Sequence, residues 1–362
     1  MQISEDALSD IGHNQLKMAT FNLFNYLEPP NAFYDFEKIY TAHQWAKKQS
    51  WITDYLKQYQ PDVIAFQEVF SIESLKNLSY EAGYPYFTTV GDPQIIDDFI
   101  YKRPVVAIAS RYPITQTCGV QHDDALIHAL GLNADFGYSR KVLRATIDLP
   151  HLGETDCYVV HLKSKRSTID IAEHNDVTPE KRFIEQLRAQ IVGGWGATVQ
   201  RGSEATLLMS EIITRRESSQ NPLIVMGDFN NSLSDGVLGH LLTNRLRFGS
   251  VFDSKAYLAK YVLNDAWDLY VKSLANNELD HVDGTRGDET QPTRTPTHYF
   301  GANSSVLDYI LLSCEFDAGY HNSFYDVVAY STYDRHLTHP DFETDDQSTD
   351  HAVVMVTCGL RS

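Results

Sequence analysis

Along the first seventy residues the apolar positions change period twice. Residues 17–24 alternate, with Met18, Thr20, Asn22 and Phe24 on one face and Ala19, Phe21 and Leu23 on the other, the period of a strand. Leu27-Glu28-Pro29-Pro30 breaks regular structure. Between 36 and 59 the spacing lengthens, and Ile39, Trp45, Ile52, Leu56 and Tyr59 recur at roughly helical intervals until Pro61 stops the run. Residues 62–66 then read as a short apolar strand, buried on both faces, that ends in Gln67-Glu68. Ser71 is placed to cap a helix running to about Gly83.

The same grammar continues. Residues 105–109 form a buried strand closed by Ser110-Arg111-Tyr112-Pro113. Residues 142–149 put Leu143, Ala145, Ile147 and Leu149 on one face, and 157–162 can pair with them across a turn near Gly153. A long helical stretch from 179 to 216 is predicted to break at Gly193-Gly194-Trp195-Gly196. Residues 223–226 are a buried strand ending in Gly227-Asp228-Phe229-Asn230, and 306–312, 325–330 and 352–357 complete the strand set. Residues 276–297 are polar and rich in turn formers, and read as a loop or insertion. Helices and strands mix without strict βαβ alternation, composition break or internal repeat. The simplest organisation is a loose leader over 1–15 and one α/β domain over 16–362.

Composition narrows the class. Of 362 residues 43% are hydrophobic and 22% charged, enough to build a core, which excludes intrinsic disorder. No stretch approaches the ~18 apolar residues of a membrane span. The N-terminus is acidic and polar, without a secretory signal, although a processed secreted form would read the same. Cys118, Cys157, Cys314 and Cys358 form no C-x-x-C pair and lie in or beside apolar runs. They are expected as buried free thiols, which favours cytoplasmic residence. Thirty basic against 48 acidic residues leave a net charge of −18. That opposes a passive nucleic-acid coat protein, because phosphate binding rests on Lys and Arg. It is compatible with an enzyme that meets phosphate through a metal held by carboxylates.

The polar residues at strand ends carry the chemistry. Asn22, Glu68, His161, Asp228 with Asn230, Asp308, and Asp350-His351 each end or open an apolar strand. Any one of them alone is an ordinary turn residue. Together, at the rim of buried sheets, they are costly unless paired or bound to a cation. There is no P-loop and no dinucleotide motif, and His281, His298, His336 and His339 lack an H-E-x-x-H spacing, so zinc is not the first expectation.

These segments resemble the endonuclease/exonuclease/phosphatase superfamily. The resemblance rests on Ala19-Thr20-Phe21-Asn22, residues 61–68 (PDVIAFQE), residues 109–114 (ASRYPI), residues 160–165 (VHLKSK), Gly227-Asp228-Phe229-Asn230, Leu307-Asp308-Tyr309-Ile310 and Ser348-Thr349-Asp350-His351, in the family's order. It implies a four-layer αββα sandwich, two facing mixed sheets flanked by helices, with the site where strand ends converge. It also implies phosphoester hydrolysis with a divalent metal, usually magnesium, with manganese or calcium as substitutes. Glu68, Asn22 and Asp350 would be the metal residues. His351 would be the general base, oriented by Asp308. Asp228 and Asn230 would position the nucleophile, and His161 would donate to a phosphate oxygen.

Substrate is less legible. Lys163, Lys165 and Arg166 follow His161 and could contact substrate phosphate, and Arg201 and Glu204 are expected to pack and pair beside the site. Tyr26, Tyr101, Tyr138 and Tyr299 could stack bases, though core packing is the commoner fate of such rings. The basic run points to a nuclease acting on a nucleic-acid phosphodiester, with no stable protein partner implied. A phospholipid, inositol-phosphate or sugar-phosphate esterase is the alternative, and an inactive binding scaffold the last.

Overall fold

The computed structural model describes residues 14–169, 178–242, 258–280 and 292–361. Two six-stranded sheets face each other. The first has the order β16 (Tyr325–Tyr333), β17 (Val353–Leu360), β1 (Gln15–Tyr26), β3 (Val63–Val69), β7 (Val105–Ser110) and β4 (Tyr86–Thr89). The second runs β12 (Asn264–Asp265), β15 (Asp308–Leu312), β11 (Leu223–Asp228), β10 (Gly153–His161), β9 (Leu143–Leu149) and β8 (Ile114–Gly119). Each sheet is mixed. β1 and β3 are parallel in the first and β10 and β11 in the second, while the other pairings are antiparallel. Two small sheets, β2 (Ala32–Phe33) with β5 (Gln94–Ile96) and β6 (Ile100–Lys102), and β13 (His298–Phe300) with β14 (Asn303–Ser305), lie beside them.

Strand alternation builds the layers. Met18, Val63, Ala65, Val106, Ile108 and Val354 of the first sheet meet Ala145, Ile147, Cys157, Val159, Met226 and Ile310 of the second in one buried cluster. The opposite faces carry helices. Phe21, Leu23, Ile64 and Phe66 pack under α1 (Ala42–Tyr59) and α2 (Ile72–Glu81). Tyr158, Val160, Val225 and Leu311 pack under α4 (Pro179–Ser219). Shorter helices α3 (Asp124–Ala129) and α6 (Arg335–Thr338) lie in connections, and α5 (Ala266–Asp280) sets Ala266 and Leu269 against the inter-sheet core. This is the αββα sandwich that the resemblance implied. Among the described residues no helix is long and apolar enough to cross a membrane.

Several local expectations change. Residues 1–13 of the expected leader lie outside the described residues, and Gln15 is already in β1. The first helix starts at Ala42, because Thr41 and Gln44 form a reciprocal capping box there, and Ile39 is left exposed. Ser71 precedes α2 without capping it, since its hydroxyl accepts the Glu28 N–H at 2.7 Å. Residues 276–280 belong to α5, and 281–291 of the expected loop lie outside the described residues. Cys118 is partly exposed while the other three thiols are buried.

The largest correction is α4, which runs through the glycine run without a break. Residues 167–168 cross the helix there. The Thr168 N–H donates to the Gly193 carbonyl at 3.1 Å, and the Ser167 hydroxyl to the Ala189 carbonyl at 2.9 Å. A Cβ on Gly193 would fall 1.8 Å from Ser167 Oγ, and one on Gly196 would fall 2.5 Å from Thr168 Oγ1. The glycines form a notch for a crossing chain, and their weak helix propensity is overridden by that contact.

Candidate active site

The parallel pair at the centre of each sheet ends at the same place. β10 and β11 run in register to His161 opposite Asp228. β1 and β3 run to Asn22 opposite Gln67, and then both strands lose regular register. Phe24, Asn25, Glu68 and Asn230 there have positive φ, a region non-glycine residues seldom occupy and one that clusters at functional sites. Gly227 precedes Asp228 with φ +147, and a Cβ would sit 2.0 Å from the Val160 carbonyl. Only glycine lets the two strands approach this closely, which fixes Asp228 against His161.

Asp228 is caged. Its Oδ1 accepts the Asn230 N–H at 2.8 Å, and its Oδ2 accepts Nδ2 of Asn230 at 3.1 Å and of Asn22 at 3.3 Å, with His161 Nε2 at 3.5 Å. Burial raises the pKa of Asp228, helped by the Asp308 and Glu68 charges, although His351 and the Asn230 N–H pull it down. Burial holds His161 well below its ordinary value, with Arg140 adding to the effect. Asn22 is occupied at both ends of its amide, since Oδ1 also accepts the Phe24 N–H at 3.1 Å.

Across the gap, His351 Nδ1 meets Asp308 Oδ2 at 2.8 Å, and both residues are buried. Burial pushes the His351 pKa down, but Asp308, Asp228 and Asp350 outweigh it and hold the value well above the ordinary range. The backbone of His351 is pinned as well, its carbonyl accepting from Thr349 Oγ1 at 2.6 Å and lying 3.1 Å from His336 Nε2. Thr297 joins the two strands of this pair. Its hydroxyl accepts the N–H groups of Leu307 (2.9 Å) and Asp308 (3.2 Å), and its carbonyl accepts the Ala352 N–H at 2.7 Å.

Glu68 accepts the Asn25 N–H at 2.9 Å. Asp350 is raised to about 6 by burial, with Glu68 adding to the rise and His351 and Lys48 opposing it. Among the described residues two groups bring ligand atoms within 4.8 Å of one another, His298 with Asp350 and His351, and Asp228 with Asp308 and His351. Glu68 belongs to neither. Asp350 Oδ1 and Asp308 Oδ1 are buried without a hydrogen-bond partner. Unpaired carboxylate oxygens in such company suit a hard divalent cation.

The structure thus brings Asn22, His161, Asp228, Asn230, Asp308, Asp350 and His351 together, with Glu68 bordering them. Lys163 and Lys165 lie on the loop after β10. The Lys163 ammonium donates to the Ser164 and Arg166 carbonyls at 3.2 and 2.9 Å. Glu204 accepts the Lys163 N–H at 2.8 Å and Arg201 donates to the Lys163 carbonyl at 2.9 Å. Arg201 and Glu204 therefore hold the backbone of one residue, Lys163, from two sides rather than pairing with each other. Tyr26 is a core residue, Tyr299 donates to Asp334 at 2.8 Å, and Tyr101 packs on Phe70.

Three residues escaped the sequence reading. His298 packs against His351 with ring centroids 4.9 Å apart and planes tilted by 52°, across an isolated bridge. Thr297 closed a segment read as loop. Lys48 is fully buried, its ammonium donating to the Ser348 carbonyl at 3.2 Å near the Glu68 and Asp350 charges, and burial lowers it to about 7. A lysine inside an apolar helical repeat, flanked by Trp45 and Ile52, was the available signal for that one.

Comparison with protein families matches residues 19–351 to the Endonuclease/Exonuclease/phosphatase family, and the chain belongs to that family. Members are hydrolases of phosphoester bonds and generally use a divalent metal. No curated protein matches by sequence comparison. Among solved structures, the human Nocturnin catalytic domain with bound sulfate is 17% identical, covers 96% of each chain and has a TM-score of 0.51. A humanized TDP2 of D. rerio is 12% identical, covers 96% of this chain and 99% of its own, and has a TM-score of 0.50. At these identities the likeness is one of fold.

Proposed function

We propose that the protein is a divalent-metal-dependent phosphodiester hydrolase acting on nucleic acid. The 2.8 Å Asp308–His351 contact beside caged Asp228 carries this reading. Asn22, Glu68 and Asp350 would hold the cation, magnesium first, with manganese or calcium as substitutes. All three offer hard oxygen, and Asp350 Oδ1 has no protein partner. When bound, the cation supplies positive charge to the reacting phosphate and against the surrounding carboxylates.

The remaining steps belong to side chains. Asp308 holds the His351 ring through Nδ1, which leaves Nε2 to take the proton of the attacking water. Asp228 and Asn230 orient that water. His161, held neutral by burial, would share its Nε2–H, 3.5 Å from Asp228 Oδ2, with a nonbridging phosphate oxygen, where developing charge rewards a preset donor. Lys165 is exposed, and Lys163 sits on a clamped backbone, so the pair brings positive charge to the substrate side of an acidic protein.

The test is plasmid nicking. Supercoiled DNA with magnesium is expected to be nicked by the wild type, and neither with EDTA nor by His351→Ala. If the plasmid stays intact while the same preparation hydrolyses bis(p-nitrophenyl) phosphate, duplex nuclease action is discarded and phospholipid, nucleotide and inositol-phosphate substrates come forward.

A further inference from the structure

A cleft of about 740 Å³ opens beside the catalytic cluster, between the loop before β9, the loop after β10 and the middle of α4. Arg140 stands at the junction. Its Nη1 donates to the Leu162 carbonyl at 3.4 Å, the same oxygen that accepts Asn230 Nδ2 at 3.0 Å. The guanidinium and the catalytic amide thus share one acceptor, which links the cleft to the cluster.

The lining combines two chemistries. Tyr34, Leu132, Phe136 and Val199 supply rings and aliphatic surface, and Arg103 and Arg140 supply guanidinium charge. Lys163 adds a third cation, and among the described lining residues Asp135 is the carboxylate, so positive charge prevails there in a protein whose net charge is −18. Arg166 lies 5.9 Å over the Tyr34 ring. Such a mixture suits a ligand that has both a flat ring and a phosphate, since rings stack on aromatic faces and guanidinium pairs with phosphate oxygens.

The floor is fixed before any ligand arrives. Glu204 accepts the Ser139 N–H at 2.7 Å and the Lys163 N–H at 2.8 Å, joining two walls to α4. Gln200 donates to the Gly137 carbonyl at 2.8 Å and to Glu204 at 3.0 Å. Pre-formed, ring-lined clefts in the range of roughly 300–1,000 Å³ are the usual form of small-ligand sites. This one has the volume of a small-ligand site and not of a duplex, whose major groove alone is about 12 Å wide.

We propose that this cleft is a nucleotide subsite, which takes the nucleoside next to the scissile phosphate while Arg140 binds the adjoining phosphate. The preferred substrate is then a strand end or short single-stranded oligonucleotide rather than the interior of a duplex. This rests on the phosphodiesterase reading and narrows it.

The experiment compares a 5′-fluorescein-labelled hexathymidylate, supercoiled plasmid and bis(p-nitrophenyl) phosphate, all with magnesium, for the wild type, Arg140→Gln, Arg140→Lys and Phe136→Ala. Circular dichroism melts confirm folding. The wild type is expected to cleave the hexanucleotide faster than plasmid. Arg140→Gln is expected to raise KM for the hexanucleotide by about 10- to 100-fold, the loss of one charge-assisted contact. Arg140→Lys should recover part of that loss, and Phe136→Ala should also raise KM for the hexanucleotide while it hydrolyses the dye within about twofold of wild type. Equal effects on dye and hexanucleotide, or no effect on either, would overturn the subsite and leave the hydrolase standing. A wild type that cleaves the dye and no nucleic acid would overturn the nuclease reading itself, and the subsite with it.

Discussion

His161 and Asp228 lie opposite each other in the parallel register of β10 and β11, with Nε2 and Oδ2 3.5 Å apart. Burial drives the two pKa values in opposite senses, His161 down and Asp228 up. Burial thus opposes charge on both partners, so the contact is not a pair of fully charged groups. His161→Ala is expected to lower kcat by about 10²- to 10³-fold, as for the loss of a preset oxyanion donor. Because burial holds the ring's pKa well below its ordinary value, the pH–rate profile of the variant should keep the wild-type shape. A displaced limb would show that His161 titrates in the working range.

His351 makes the opposite prediction. Its carboxylate neighbours hold it protonated above the ordinary range, and a general base works only after losing that proton. At limiting magnesium, kcat/KM should rise through a pH above about 6.5, the unperturbed imidazole value. Saturating magnesium adds positive charge among the same carboxylates and should move the rising limb to lower pH. Asp308→Asn should move it down as well and reduce kcat by roughly 10²- to 10⁴-fold. Rate profiles at two metal concentrations check both shifts, and a limb that ignores metal and Asp308 would remove His351 from the base role.

Lys48 is a buried ammonium whose pKa falls to about 7 from an ordinary 10.5. The unfolded chain then binds the proton more readily between pH 7 and 10.5, so the folded state gains stability on Lys48's account as pH rises through that window. Lys48→Met lacks this contribution. The melting temperature of the wild type relative to the variant, without metal, should climb by on the order of 5 °C between pH 7 and 9. A constant difference would mean that the lysine stays charged, paired to Glu68 and Asp350.

Gly193 sets helix propensity against packing. Alanine is about 1 kcal/mol better than glycine in a helix interior, so propensity alone predicts that Gly193→Ala stabilises α4. The notch predicts the reverse, because the added Cβ would lie 1.8 Å from Ser167 Oγ and 2.9 Å from the Ile169 backbone nitrogen. A loss of about 1–3 kcal/mol is expected, the usual cost of overpacking. Activity should fall too, since residues 167–168 continue the loop that carries Lys163 and Lys165. Urea unfolding of the variant gives the sign directly.

The candidate site was legible because its residues sit at the ends of strands whose burial is local information. Asn22, Glu68, His161, Asp228, Asp308 and His351 each close or open an apolar run, and a period-two pattern says where a strand stops. The alternation over 142–149 likewise put Leu143, Ala145, Ile147 and Leu149 on the face that meets the other sheet. His298, Thr297 and Lys48 were missed for the converse reason. Their partners are distant in sequence: Thr297 serves Asp308 and Ala352, Lys48 reaches Ser348, and His298 meets His351. Nothing in a neighbouring residue announces such pairings.

By itself the sequence determined the period of each segment, the mixture of helices and strands, and the residue types at the strand ends, because hydrophobic burial follows spacing along one chain, while the family resemblance implied the sandwich. Only the tertiary structure decided that Gly193 and Gly196 extend a helix instead of breaking it, that Arg201 and Glu204 hold the Lys163 backbone instead of each other, and that Arg140 shares an acceptor with Asn230. Those outcomes depend on which backbone crosses which, and a crossing segment's sterics and hydrogen bonds override local propensity wherever two parts of the chain meet.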